Sequence, residues 1–122
     1  MSLESKNGYK TKGNVVYDKS ILLSVINLAA KEIAGVSLLS DNFGSAIKKW
    51  FSNNYYEGVK LTYDKDNLIV DVYLNVFYGY NVSEIAYRVQ ENIKNSLSAM
   101  IDIDINKINV HVLDVEFPKE ED

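Results

Sequence analysis

Leu68, Val70, Val72, Leu74 and Val76 alternate with Ile69, Asp71, Tyr73, Asn75 and Phe77 along the run "LIVDVYLNVFY". An unbroken apolar series at every second position predicts a long strand with one fully buried face. Just upstream, Val59, Leu61 and Tyr63 alternate with Lys60, Thr62 and Asp64. The "DKDN" between the two runs has turn chemistry, because Asp and Asn bond their own backbone and tolerate positive φ. Together they predict an antiparallel hairpin. The spacing becomes helical at Ile21, Leu22, Val25, Ile26, Leu28, Ala29 and Ile33. That helix is apolar around most of its circumference, with Lys31 and Glu32 as its few charges, so deep packing is expected. Asp18 stands at its N-cap, where a carboxylate can accept from free amides, and Gly35 stands where a left-handed residue would end it.

A second helix is predicted by Val82, Ile85, Ala86, Val89, Ile93, Leu97 and Met100, with Arg88, Gln90, Glu91 and Lys94 on the opposite face. The preceding "FYGYNVSE" reads as its entry: Gly79 turns the chain, Asn81 caps, and Glu84 stands where a capping-box partner reaches back. Shorter elements fill the gaps. Val15–Tyr17 and Val36–Leu39 suit short strands. "FGSAIKKWF" places Phe43, Ile47, Trp50 and Phe51 on one face of a short amphipathic helix, followed by the loop "SNNYYEG" ending at Gly58. In the last run, "KINVHVLDVEF", Ile108, Val110 and Val112 face one way, and the phase then flips to Leu113, Val115 and Phe117. A β-bulge near Leu113 accounts for the flip, and so does burial on both faces.

The order β-α-β-(short α)-β-β-α-β predicts an α+β fold. Two main amphipathic helices would cover one face of a mixed or antiparallel sheet in two layers. A chain of 122 residues is one domain in size and buries roughly 65% of its unfolded surface. Residues 1–12 read as a flexible tail, 13–117 as the domain, and 118–122, "PKEED", as an acidic tail. The absence of cysteine excludes disulfides and thiolate chemistry, and fits a reducing cytoplasm. The polar N-terminus lacks a signal-peptide core, and no apolar run approaches the ~20 residues of a membrane span. The expectation is a soluble cytoplasmic protein that reaches a membrane only through a partner.

Candidate chemistry is sparse. His111, the only histidine, falls mid-strand opposite Val110 and Val112, and no G-x-S-x-G elbow accompanies it. It reads as a partly exposed sheet residue. "DIDIN", Asp102–Asn106, opens like a calcium loop, but Lys107 and Leu113 occupy the places of its glycine and bidentate glutamate. Asp64 and Asp66 flank a turn, and Asp71 points off the apolar strand face; their spacing implies no acid–base pair. No phosphate-binding glycine loop is present. Neither a catalytic residue, a metal nor a cofactor is expected.

The second face of the long strand is more informative, since it carries Ile69, Tyr73 and Phe77 around Asp71 and Asn75. Such a face can be covered by the "FGSAIKKWF" segment, dock a protein, or stack bases. A net charge of −4 argues against nucleic acid, whose phosphates need clustered Lys and Arg. Ile69, Tyr73, Phe77, Trp50 and Tyr80 are the candidate protein contacts, while Asp18, Gly35, Gly58, Gly79, Asn81 and Glu84 have architectural roles.

The stretches "GNVVYDKSILLSVINLAAKEIAGV", "GVKLTYDKDNLIVDVYLNVFYGYNVSEIAYRVQENIKNSL" and "INVHVLDV" together resemble the alkaline shock protein family of Gram-positive bacteria. The Gly35-Val36 pair, Tyr78-Gly79, Val89-Gln90 and the valines of the last strand fit it. Two departures stand out: Ile101-Asp102 replaces a frequent Thr-Gly type turn, and 40–57 matches no fixed pattern. The resemblance implies a non-enzymatic cytoplasmic protein of the envelope stress response. Such proteins self-associate or are held near the membrane by a membrane-anchored partner. A regulatory role is also implied, because other members lie near genes of lipid metabolism. The rival reading is a nucleic-acid-binding or regulatory module using the aromatic sheet face.

Overall fold

The computed structural model describes residues 8–10, 16–39, 55–64, 67–101 and 105–118. In chain order these form β1 (Gly8–Lys10), β2 (Val16–Asp18), α1 (Lys19–Lys31), β3 (Val36–Leu39), β4 (Tyr55–Tyr56), β5 (Val59–Asp64), β6 (Asn67–Phe77), α2 (Val82–Ser98) and β7 (Ile105–Glu116). The alternation of β6 is realised in full. Leu68, Val70, Val72, Leu74 and Val76 are all completely buried. Burying each such side chain is worth about 1.5–3 kcal/mol. They meet Leu22, Leu23 and Ile26 of α1 and Ile85, Val89, Ile93 and Leu97 of α2 in one core.

β6 organises the main sheet of five strands. Along one edge it pairs antiparallel with β5, from Asn67 to Val72, and then with β3, from Leu74 to Val76. Along the other it pairs with β7 in parallel, Leu68 opposite Ile105 and Phe77 opposite Glu116. Antiparallel neighbours can follow one another through a tight turn, whereas a parallel pair needs a crossover, and α2 supplies it. The sheet is therefore mixed. The β6–β7 register slips between Val112 and Asp114, so Leu113 is the extra residue of a bulge, which accounts for the phase flip in the sequence.

Several local expectations are corrected. α1 is not packed all round: Ile21 and Leu28 are 45% and 60% exposed. With core on one side only, an apolar surplus has nowhere to go. Asp18 takes the N-cap position, but its side chain makes no capping hydrogen bond. Its backbone is extended and its residue pairs with Gly8 across the small β1–β2 sheet, so Gly8–Lys10, expected within the tail, is a strand. The helix is capped at Glu32, earlier than Gly35, which instead turns the chain into β3 at φ 99°. Tyr55–Tyr56, expected in a loop, pairs with Val59 and Lys60. The connecting Glu57 and Gly58 both have positive φ, 43° and 87°, as a two-residue hairpin turn requires. The short helix expected over Phe43–Phe51 lies outside the described residues, as does the Lys65-Asp66 turn.

Polar side chains tie the layers together. The buried Asn27 of α1 donates to the Glu57 carbonyl at 3.1 Å, fixing the helix to the β4–β5 turn. Asn92 of α2 donates to the Ala29 carbonyl of α1 at 2.7 Å, and Gln90 donates to the Ile108 carbonyl of β7 at 2.8 Å. Asn81 caps α2 as its sequence predicts, its Oδ1 accepting from the Glu84 amide at 3.0 Å. The capping box is only half made, because the Glu84 carboxylate turns outward to Arg88.

Candidate interaction surface

Opposite the helices, the second face of β6 carries Ile69, Asp71, Tyr73, Asn75 and Phe77. Its neighbours follow from register: Lys60 and Thr62 of β5 on one side, and Lys107, Asn109, His111, Asp114 and Glu116 of β7 on the other. The centre of this face is polar. Asp71 is only 9% exposed, yet it is well partnered. Its Oδ1 accepts from Asn109 Nδ2 at 3.1 Å and lies 2.9 Å from His111 Nε2, while its Oδ2 is 4.0 Å from Lys60 Nζ. A buried carboxylate is tolerated only with such partners, so three strands converge on it.

The aromatics sit on top of this network. Tyr73 and His111 stack face to face with centroids 4.5 Å apart. Burial pushes the Tyr73 phenol above its ordinary value, and the Asp71 carboxylate adds to the effect. Beyond Tyr73, Asn75 donates to Glu116 Oε2 at 2.6 Å, but its own Oδ1 is buried without a hydrogen-bond partner. Such an unmade bond costs about 1–3 kcal/mol.

The structure thus brings together Ile69, Tyr73 and Phe77, all half-buried. Tyr80 is not among them. A Cβ on Gly35 would fall 2.7 Å from the Tyr80 ring and from Ile85 Cδ1, so Tyr80 covers Gly35 on the helix side. Trp50 lies outside the described residues. Sequence reading placed Asp71 and His111 on the outer face but missed their pairing with each other and with Asn109. The arrangement holds a base against a carboxylate, but no hydroxyl or thiol nucleophile is shown hydrogen-bonded to that base among the described residues. Among the described residues no group of His, Asp and Glu could hold a metal ion, and no helix is long and apolar enough to cross a membrane.

Comparison with known proteins gives a consistent result. The alkaline shock protein 23 family, described as having a cell envelope-related function, matches residues 7–117. The uncharacterised protein YqhY of Bacillus subtilis is 32% identical over 106 residues, covering 86% of this chain and 78% of YqhY. An uncharacterised Streptococcus pyogenes protein, Spy1614, is 29% identical over 110 residues, 85% of this chain and 88% of its own. YloU of Bacillus subtilis is 24% identical over 118 residues, 92% and 93% of the two chains. No solved structure matches. The match spans both helices and the whole five-stranded sheet, and on that ground the chain belongs to the alkaline shock protein 23 family, whose function is cell envelope-related.

Proposed function

We propose that this protein is a non-enzymatic structural component of the cell envelope stress response, working from the cytoplasm by self-association or by docking on a membrane-anchored partner. The outer sheet face is its docking surface. The observation that carries this reading is the stripe of Ile69, Tyr73 and Phe77, which stays half-exposed while the opposite face of the same strand is sealed. Apolar surface left in this way marks an interaction site.

Nucleic acid suits this face less well. Lys60 already faces Asp71, and Asp114 and Glu116 add negative charge to the same side of β7. Phosphate binding rests on uncompensated Lys and Arg and weakens steeply with salt.

The test is affinity capture from stressed cells with the membrane fraction retained, using the native chain and a Tyr73→Ser/Phe77→Ser variant. Neither side chain is in the main core, so the variant should keep the native circular dichroism spectrum, with melting lowered only by the loss of the Tyr73–His111 stack. Retention of an integral membrane protein by the native chain, lost in the variant, supports the reading. Equal retention by both, or salt-sensitive retention of RNA or DNA instead, would sink it.

A further inference from the structure

Among the described residues β7 is an edge strand. One side pairs with β6, and the other meets no strand among the described residues. An open edge presents a row of unpaired amides and carbonyls, a template for another strand. Two features of β7 say what fits there.

The first is the distribution of charge on its outer face. In register order these residues are Lys107, Asn109, His111, Asp114 and Glu116. The basic groups lie in the first half and the acidic ones in the second. A second β7 laid parallel would set like charges side by side. Laid antiparallel, it sets Lys107 opposite Glu116 of the other copy and Asn109 opposite Asp114, with His111 opposite itself. The bulge makes the count from Lys107 to Glu116 symmetrical, since Leu113 drops out of the β6 ladder and leaves Lys107, Ile108, Asn109 and Val110 on one side of His111 and Val112, Asp114, Val115 and Glu116 on the other.

The second is burial on the helix-facing side. The inward residues of β6 are sealed, but Ile108, Val110 and Val112 of β7 are only partly buried and Val115 is 41% exposed. In the same antiparallel register Val110 faces Val112 of the other copy and Ile108 faces Val115. Apolar therefore meets apolar on one face, and opposite charges meet on the other.

We propose that the open edge of β7 pairs antiparallel with β7 of a second copy about a two-fold axis at His111, joining two sheets into one. Such an isologous contact uses one patch twice and closes on itself. The Ile108 carbonyl already accepts from Gln90 and the Val115 amide donates to Asp114 Oδ1, so the new backbone bonds lie between Asn109 and Asp114, and the Ile108–Val115 and Lys107–Glu116 pairs flank them through side chains alone. The outer faces of both copies then lie side by side, so the Tyr73–Phe77 stripe is doubled. This inference rests on the self-association arm of the proposed function and specifies where it occurs.

The chain has no cysteine, so single cysteines report register cleanly. His111→Cys, mildly oxidised, should give a disulfide-linked dimer, because directly opposed residues have Cβ atoms about 4.5–5.5 Å apart. Ser83→Cys, exposed on α2, should not. In sedimentation of the full chain, Lys107→Glu should weaken the dimer about tenfold, since two surface pairs turn repulsive at once. Lys107→Glu combined with Glu116→Lys should restore it. Hydrogen exchange of the unaltered protein should show β7 amides gaining protection with concentration. A chain that stays monomeric up to about 1 mM overturns both the inference and the self-association arm, leaving partner docking to the capture experiment. A dimer that neither crosslinks at His111→Cys nor recovers on charge exchange overturns the β7 pairing alone.

Discussion

The rings of Tyr73 and His111 stack with their planes 14° apart, from directly paired positions on two parallel strands. The same imidazole is bound to Asp71, so it serves both the aromatic contact and the buried carboxylate. These two roles separate on mutation. His111→Phe keeps the stack and loses the bond, whereas His111→Ala loses both. An aromatic pair is worth about 0.5–1.5 kcal/mol beyond its burial, so the alanine variant should be less stable by at least that amount. Chemical denaturation decides it; equal stability of the two variants would remove any role for the stack.

Asp71 should matter more than an exposed ion pair. Asp71→Ala leaves the part-buried Asn109 amide without its acceptor and removes a partner of Lys60 and His111. A loss of about 1–3 kcal/mol is expected. If Asp71→Ala unfolds at the same denaturant concentration as the native chain, the network contributes nothing to stability.

The raised Tyr73 phenol links stability to high pH. An ordinary phenol titrates near pH 10. In the folded state Tyr73 keeps its proton where the unfolded chain has released it, so its contribution is full below about pH 10 and is lost as pH rises through the higher folded-state value. Tyr73→Phe should flatten the fall of stability in that window. Asp71→Asn should bring the phenol only part of the way back, because burial is the larger cause. The phenolate absorbance of the native chain minus that of Tyr73→Phe isolates this group among the nine tyrosines. An ordinary titration in that difference would contradict the burial of the ring.

Gly35 and Gly79 have nearly equal φ, 99° and 102°, but different surroundings. A Cβ at Gly35 would strike Ile85 and Tyr80 at 2.7 Å, while one at Gly79 meets nothing within 4 Å. Gly79→Ala should therefore pay backbone strain alone, about 1–3 kcal/mol. Gly35→Ala should cost clearly more, with displaced Tyr80 and Ile85 visible in methyl and aromatic NMR shifts. Equal costs would show that the close approach at Gly35 is easily relieved.

At the start of α2, Asn81→Ala should cost about 1 kcal/mol through loss of the cap. Glu84→Ala should cost no more than an exposed ion pair, about 0.2–1 kcal/mol, because its carboxylate serves Arg88 and not the helix end. A larger effect of Glu84 would mean that the full capping box forms in solution.

What the sequence disclosed and what it withheld divide along physical lines. The face of β6, the apolar stripe of α2, the Asn81 cap and the slip at Leu113 are written in spacing within one segment. The Asp71 network is not, since Asp71 and His111 are 40 residues apart and meet only through the β6–β7 register. A period of two tells which face a residue occupies, but not which residue of another strand lies beside it. The exposed Ile21 and Leu28 of α1 show the converse limit, because hydrophobicity reports what can be buried, not whether a neighbour is there to bury it. β1 and β4 are three and two residues long, too short for any periodicity.

Every strand of the main sheet except β4 bonds directly to β6, with β3 and β5 end to end along one edge and β7 along the other. No half of the sheet can therefore persist once those eleven residues leave their place. Unfolding should be all-or-none, with β6 amides exchanging hydrogen only through the global event. For a protein proposed to serve an envelope under stress, this removes the partly opened forms whose bare strands would seed aggregation. The module is either whole or absent.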